Sequence, residues 1–217
     1  MNADAVFFDI GGVILDSGSV RRAHERFVAD LGDEYDLDAE SALGTWRAEL
    51  GAHFREREGT EFRSARAGYE RAIDALGVDG EWEPLFERAI EGAIEPNPGA
   101  VEAVETLAGR DLHLGVISDV DDAEGRRILE TFGILETFDS VTTSEAVGRT
   151  KPDPAMFETA LGKSGTDPER SLMVGDRYRH DIEGAKDVGM VTAAYGTEEG
   201  PAVDHCLDDL RDVLELV

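Results

Sequence analysis

Two rhythms of apolar and polar positions divide this chain. Residues 6–10 form an apolar run broken only by Asp9, and Gly11-Gly12 follows at once, which predicts a buried strand ending in a turn. From about 18 to 94 apolar positions recur at helical spacing, most clearly over 20–31 and 62–76, with few β-branched runs. The rhythm changes again at Pro96, where Asn97-Pro98-Gly99 punctuates a linker. Beyond it, predicted helices at 100–107, 123–132, 154–161 and 182–188 alternate with predicted strands at 112–117, 140–143, 172–174 and 191–195. Residues 207–216 read as a last helix. Such alternation implies a parallel sheet covered by helices. The expected fold is therefore α/β, with residues 1–17 and 95–217 forming the core and 18–94 a helical insertion after the first strand.

In an open parallel sheet, ligands gather beyond the carboxyl ends of the strands. Four polar clusters fall there: Asp9 after the first strand, Ser118-Asp119 after the second, Lys151 after the third, and Asp176 with Asp181 after the fourth. Their types fit one reaction. Asp9 and Asp176 suit a hard divalent cation such as Mg²⁺, which takes oxygen ligands and neutralises charge on a transferring phosphoryl group. Lys151, one of three lysines, would bring a positive charge to the same oxygens. Ser118 and the backbone N–H groups beside it, that of Asp119 included, would bind a phosphate oxygen. Asp9 would attack in line and form an aspartyl-phosphate for water to hydrolyse. The spacing of Asp181 from Asp176 favours a contact to metal-bound water over a helix cap.

Charge changes the picture of the surface. The 217 residues hold 48 acidic and 21 basic side chains, a formal net charge of −27. At low ionic strength such a surface repels itself, whereas at molar salt the screening length falls to about 3 Å. The acids are spread along the chain rather than gathered in a tail, so the balance reads as adaptation to a salty cytoplasm, and nucleic acid is disfavoured as a partner. No apolar stretch approaches the roughly 18 residues of a membrane span, and the start carries no basic, signal-like segment, so a soluble cytoplasmic protein is expected. The single cysteine, Cys206, excludes an internal disulfide and reads as a buried strand residue.

The strand-end residues sit in segments that resemble the four motifs of the haloacid dehalogenase superfamily. Val6-Phe7-Phe8-Asp9-Ile10-Gly11-Gly12-Val13-Ile14-Leu15-Asp16-Ser17 resembles motif I and Gly115-Val116-Ile117-Ser118-Asp119 motif II. Gly148-Arg149-Thr150-Lys151-Pro152-Asp153-Pro154 resembles motif III, and Val174-Gly175-Asp176 through Asp181-Ile182 motif IV. The resemblance implies a Rossmann-like core, a C1-type cap in the helical insertion, Mg²⁺ held by Asp9, Asp176, Asp181 and the Gly11 carbonyl, and a small phosphate ester as substrate. It also exposes a departure. Phosphatases of the superfamily usually carry a second aspartate, a general acid and base, where this chain has Gly11. Three readings follow: a phosphatase that manages proton transfer otherwise, a catalytically silent binding domain, or a 2-haloacid dehalogenase, where halide leaves unprotonated. The acidic form of motif IV favours the first.

Other residues receive plainer readings. Arg21 and His24 are expected on the surface of the first inserted helix, and Asp16 at that helix's start as a cap or hinge residue. The side chains of Asp119, Asp121 and Asp122 suit the start of the next core helix. Trp46 and Trp82 are expected in packing. His53, Arg55 and Arg57 are not placed by the sequence.

Overall fold

The computed structural model describes residues 3–197 and 200–217. Two compact units emerge, one of Met1–Leu15 with Pro96–Val217 and one of Asp16–Glu95.

The first unit is the expected α/β fold. Strands β1 (Ala5–Phe8), β2 (His113–Ser118), β3 (Ser140–Thr143), β4 (Ser171–Gly175), β5 (Val191–Tyr195) and β6 (His205–Leu207) form one sheet in the order β3-β2-β1-β4-β5-β6. Every pairing is parallel, with Phe8 beside Val116 on one flank and Val174 on the other. β1 and β4 are buried throughout, as strands covered on both faces must be, which is why their apolar runs are continuous rather than alternating. The chain builds outward from β1 to β3, then returns to β1's other flank for β4 to β6. A crevice therefore opens at the carboxyl ends beside β1, where the winding reverses.

Three expectations for this unit need correction. The last helix begins later than predicted, as a short 3₁₀ turn at Leu210–Glu215, because His205–Leu207 is drawn into the sheet as β6. Cys206 does lie in a strand, the edge strand β6, but is exposed rather than buried, its side chain pointing away from that of the buried Leu207 beside it. The predicted helix at 182–188 is split into a π-helical turn, Tyr178–Glu183, and the short helix Gly184–Asp187.

The second unit holds helices α1 (Ser17–Tyr35), α2 (Ala39–Arg55), α3 (Ala65–Leu76) and α4 (Glu83–Ile90). Asp16 caps α1, its carboxylate accepting the Gly18 and Ser19 N–H groups at 2.9 Å each. Phe27, Trp46 and Trp82 lie in its core, with Tyr69 and Phe86 packed against them. His24 stands among these rings, its centroid 5.6–5.8 Å from those of Trp46, Tyr69 and Phe86, and not on the open surface as predicted. The Asp16 N–H donates to the Glu95 carbonyl at 2.9 Å, so the ends of this unit are tied side by side. No helix among the described residues is long and apolar enough to cross a membrane.

Candidate active site

Asp9 follows β1 with its backbone N–H on the Val174 carbonyl at 3.0 Å, so the sheet ladder fixes it beside β4. Its side chain is 3% exposed. Oδ1 accepts the Ile10 N–H at 2.8 Å and lies 3.0 Å from Lys151 Nζ. Lys151 reaches it from the loop after β3 and is wholly buried, Nζ also donating to the Ile117 carbonyl at 2.9 Å and lying 2.6 Å from Asp181 Oδ1. A buried ammonium is costly unless paired, and here two carboxylates and a carbonyl surround it. Burial pushes the Asp9 carboxyl above its ordinary pKa, more than Lys151 pulls it down. Burial works against the charge of Lys151 as well, but Asp181 and Asp9 outweigh it and hold the ammonium protonated.

Asp176 and Asp181 converge on Asp9 from the end of β4. Oxygens of all three lie within 4.8 Å of one another. The π-helical turn explains how: it turns Asp181 inward, where Oδ2 accepts the Arg177 N–H at 2.8 Å, and such turns are frequent at functional sites. Gly175 is required beneath it, since a Cβ there would stand 2.2 Å from the Asp181 Cβ. Burial, then the charges of Asp9 and Asp181, push the Asp176 carboxyl up to about 6.

This donor set fits a hard divalent cation. Three carboxylates share one small space, Asp176 Oδ1 is buried with no hydrogen-bond partner, and the Gly11 carbonyl takes no hydrogen bond from the described residues. Gly12, at φ +81°, lets Asp176 approach, because a Cβ there would meet Asp176 Oδ2 at 1.9 Å. Gly11 differs: it is exposed and a Cβ would find nothing within 4 Å.

Ser118 is buried at the end of β2, opposite Thr143. The Asp119 carboxylate does not cap a helix and cannot itself donate to phosphate. Its Oδ1 accepts the Lys151 N–H at 2.8 Å and its Oδ2 accepts Arg177 Nη2 at 2.9 Å, with His180 Nδ1 3.5 Å away. Burial opposes its charge, but His180, Lys151 and Arg177 outweigh that and hold the carboxyl well below the usual range. Arg177 and His180 escape the sequence reading. They lie in Arg177-Tyr178-Arg179-His180, between the two aspartates of the last motif, and their one signal is that position, directly after a strand-end aspartate.

A family model described as a haloacid dehalogenase-like hydrolase matches residues 3–189. Across 230 aligned residues the chain is 30% identical to a glyceraldehyde 3-phosphate phosphatase of Methanothermobacter thermautotrophicus, over 98% of this chain and 99% of that protein. A ribulose-1,5-bisphosphate 5-phosphatase of Halopiger xanaduensis is 26% identical over 99% of each. Among solved structures, a HAD phosphatase from Thermococcus onnurineus superposes with a TM-score of 0.78 at 23% identity, over 98% of this chain and 97% of that one, a likeness of fold.

Proposed function

The chain belongs to the haloacid dehalogenase-like hydrolases, and from that membership we propose a Mg²⁺-dependent phosphatase of a small phosphorylated metabolite, working through an aspartyl-phosphate on Asp9. The observation that carries the reading is the buried Asp9 carboxylate, 3.0 Å from Lys151 Nζ and clustered with two further carboxylates. The relatives' names, both phosphatases, support it.

Asp9, Asp176, Asp181 and the Gly11 carbonyl would hold the cation. When bound, Mg²⁺ supplies charge neutralisation on the phosphoryl oxygens. The Ser118 hydroxyl and the Asp119 N–H bind those oxygens, and Lys151 fixes Asp9 and offsets its charge. Asp9 attacks phosphorus through Oδ2, since Oδ1 is engaged by Ile10 and Lys151. The P–O ester bond breaks with its electron pair on the alcohol oxygen, which takes a proton from water because residue 11 brings no acid. The hydroxide this leaves then attacks phosphorus and breaks its bond to Asp9 Oδ2, releasing phosphate and restoring the Asp9 carboxylate. Residues 18–94 act as a cap that selects the substrate. Inside this unit a pocket of about 320 Å³, with Val20, Arg21, His24, Leu43 and Trp46 among its walls, has the size for a small organic group.

Hydrolysis of p-nitrophenyl phosphate and of a phosphometabolite panel, in high KCl with and without Mg²⁺, tests the reading. Activity that needs Mg²⁺ and vanishes in Asp9→Asn is the expected result. A wild type inactive on the whole panel overturns it, and chelator-insensitive chloride release from 2-chloropropionate would point to a dehalogenase instead.

A further inference from the structure

The reaction above leaves the Arg177 guanidinium unused. Four carboxylates meet there, those of Asp9, Asp119, Asp176 and Asp181, and the charge of Lys151 is already shared between Asp9 and Asp181 at 3.0 and 2.6 Å. A phosphate ester approaching Asp9 thus meets little free positive charge from Lys151. Arg177 is placed differently. Its side chain is 42% exposed, and Nη2 contacts two of the carboxylates at unequal distances.

The inequality is informative. At 2.9 Å from Asp119 Oδ2, Nη2 makes a charge-assisted hydrogen bond. At 4.0 Å from Asp9 Oδ2 it makes none, being beyond hydrogen-bonding reach. A phosphoryl oxygen lying to one side of that line can stand about 3 Å from both atoms at once, hydrogen-bonded to the guanidinium and in contact with the attacking oxygen. Oδ2 is also the Asp9 oxygen left open, since Oδ1 accepts the Ile10 N–H. Asp119 provides a fixed anchor for the guanidinium: its side chain is 12% exposed, Oδ1 is held by the Lys151 N–H at 2.8 Å, and His180 stands 3.5 Å behind Oδ2. A guanidinium carries five N–H donors, so one bond to Asp119 leaves others for an anion.

We infer that Arg177 is a further catalytic residue, binding a non-bridging oxygen of the phosphoryl group as it passes to Asp9, and that Asp119 and His180 position it. The inference rests on the phosphatase reading, because it needs a phosphoryl group at Asp9 Oδ2. Arg177 transfers no proton; its contribution is charge placed where the transition state concentrates it.

The test compares wild type with Arg177→Gln, Arg177→Lys and Asp119→Asn, using steady-state hydrolysis of p-nitrophenyl phosphate, inhibition by inorganic phosphate, and thermal melts. Arginines that stabilise phosphoryl-transfer transition states are worth about 10³–10⁵ in rate. Arg177→Gln is expected to lower kcat/KM at least 100-fold and weaken phosphate inhibition at least tenfold. Arg177→Lys should recover part of the phosphate inhibition but little of kcat, since it keeps the charge and loses the fork. Asp119→Asn should lower kcat more than it raises KM, and should add little in the Arg177→Gln background, as a residue acting through another does. An Arg177→Gln enzyme within twofold of wild type in both kcat/KM and phosphate inhibition overturns the inference while leaving the phosphatase reading intact. If Arg177→Gln melts at room temperature, Arg177→Lys decides, and wild-type values for it overturn the inference equally. A wild type that hydrolyses no phosphate ester fails earlier and takes down both.

Discussion

Gly11 and Gly12 are neighbours with opposite constraints. Gly12 sits at φ +81° with Asp176 Oδ2 1.9 Å from where a Cβ would stand, so any side chain there displaces a carboxylate of the site. Gly11 lies outside the left-handed region, is exposed and has open space, so an aspartate fits without strain. General acid–base catalysis is worth about 10²–10⁴ in rate, and the gain should appear where the leaving alcohol most needs a proton. Gly11→Asp is therefore expected to raise kcat on an alkyl phosphate at least tenfold while changing that on p-nitrophenyl phosphate little; an unchanged ratio of the two rates would refute it. At this scale the sequence displays the acidic residues and the lysine well, because strand ends in a parallel sheet are few. Arg177 is hidden because its role depends on the π-helical turn, which sets which way Arg177 and Asp181 face, and no spacing of residue types announces that turn.

Among the elements, α1 carries a buried histidine whose cost depends on pH. Burial beside Trp46, Tyr69 and Phe86 lowers the His24 pKa to about 4 from an ordinary 6.5. The folded state thus binds its proton less readily than the unfolded chain does. Stability from this group is intact above about 6.5, is lost as pH falls towards 4, and changes no further below that. The shift corresponds to roughly 3 kcal/mol at full extent. Replacing His24 with Phe should remove that dependence, so that between pH 7.5 and 4.5 wild type loses about 2–3 kcal/mol more in urea unfolding than the variant; equal losses would refute it. Elements differ in how plainly the sequence marks them. β1, β4 and β5 lie at or next to the sheet's centre, and burial on both faces leaves an apolar run too long to miss. β6 is three residues at the edge, His205-Cys206-Leu207; the strand is legible at Cys206, but so short a run shows no period from which its exposed side could be read.

For the whole molecule the governing quantity is charge. With 48 acidic and 21 basic side chains, arginines such as Arg22, Arg66, Arg71 and Arg211 each bridge two carboxylates, and a large excess of acids still faces solvent. Exposed pairs of this kind add little stability, so relief of repulsion must come from the solvent. We expect Tm to rise by more than 10 °C between 0.1 and 2 M KCl, in scanning calorimetry, with most of the rise below 1 M, where the screening length shortens fastest; a flat Tm would refute the salt-adapted reading. The ends of the inserted segment have a different consequence. Leu15 bridges Pro96, Asn97 donates through its side-chain amide to the Gly12 and Val13 carbonyls, and Asp16 meets Glu95, so the chain leaves and rejoins the sheet-bearing unit at one spot. An inserted segment whose ends already touch can be lengthened, rebuilt or exchanged by recombination with little added loop-closure cost. Residues 16–95 can thus be exchanged as a cassette while Asp9, Asp176 and Asp181 stay in the other unit.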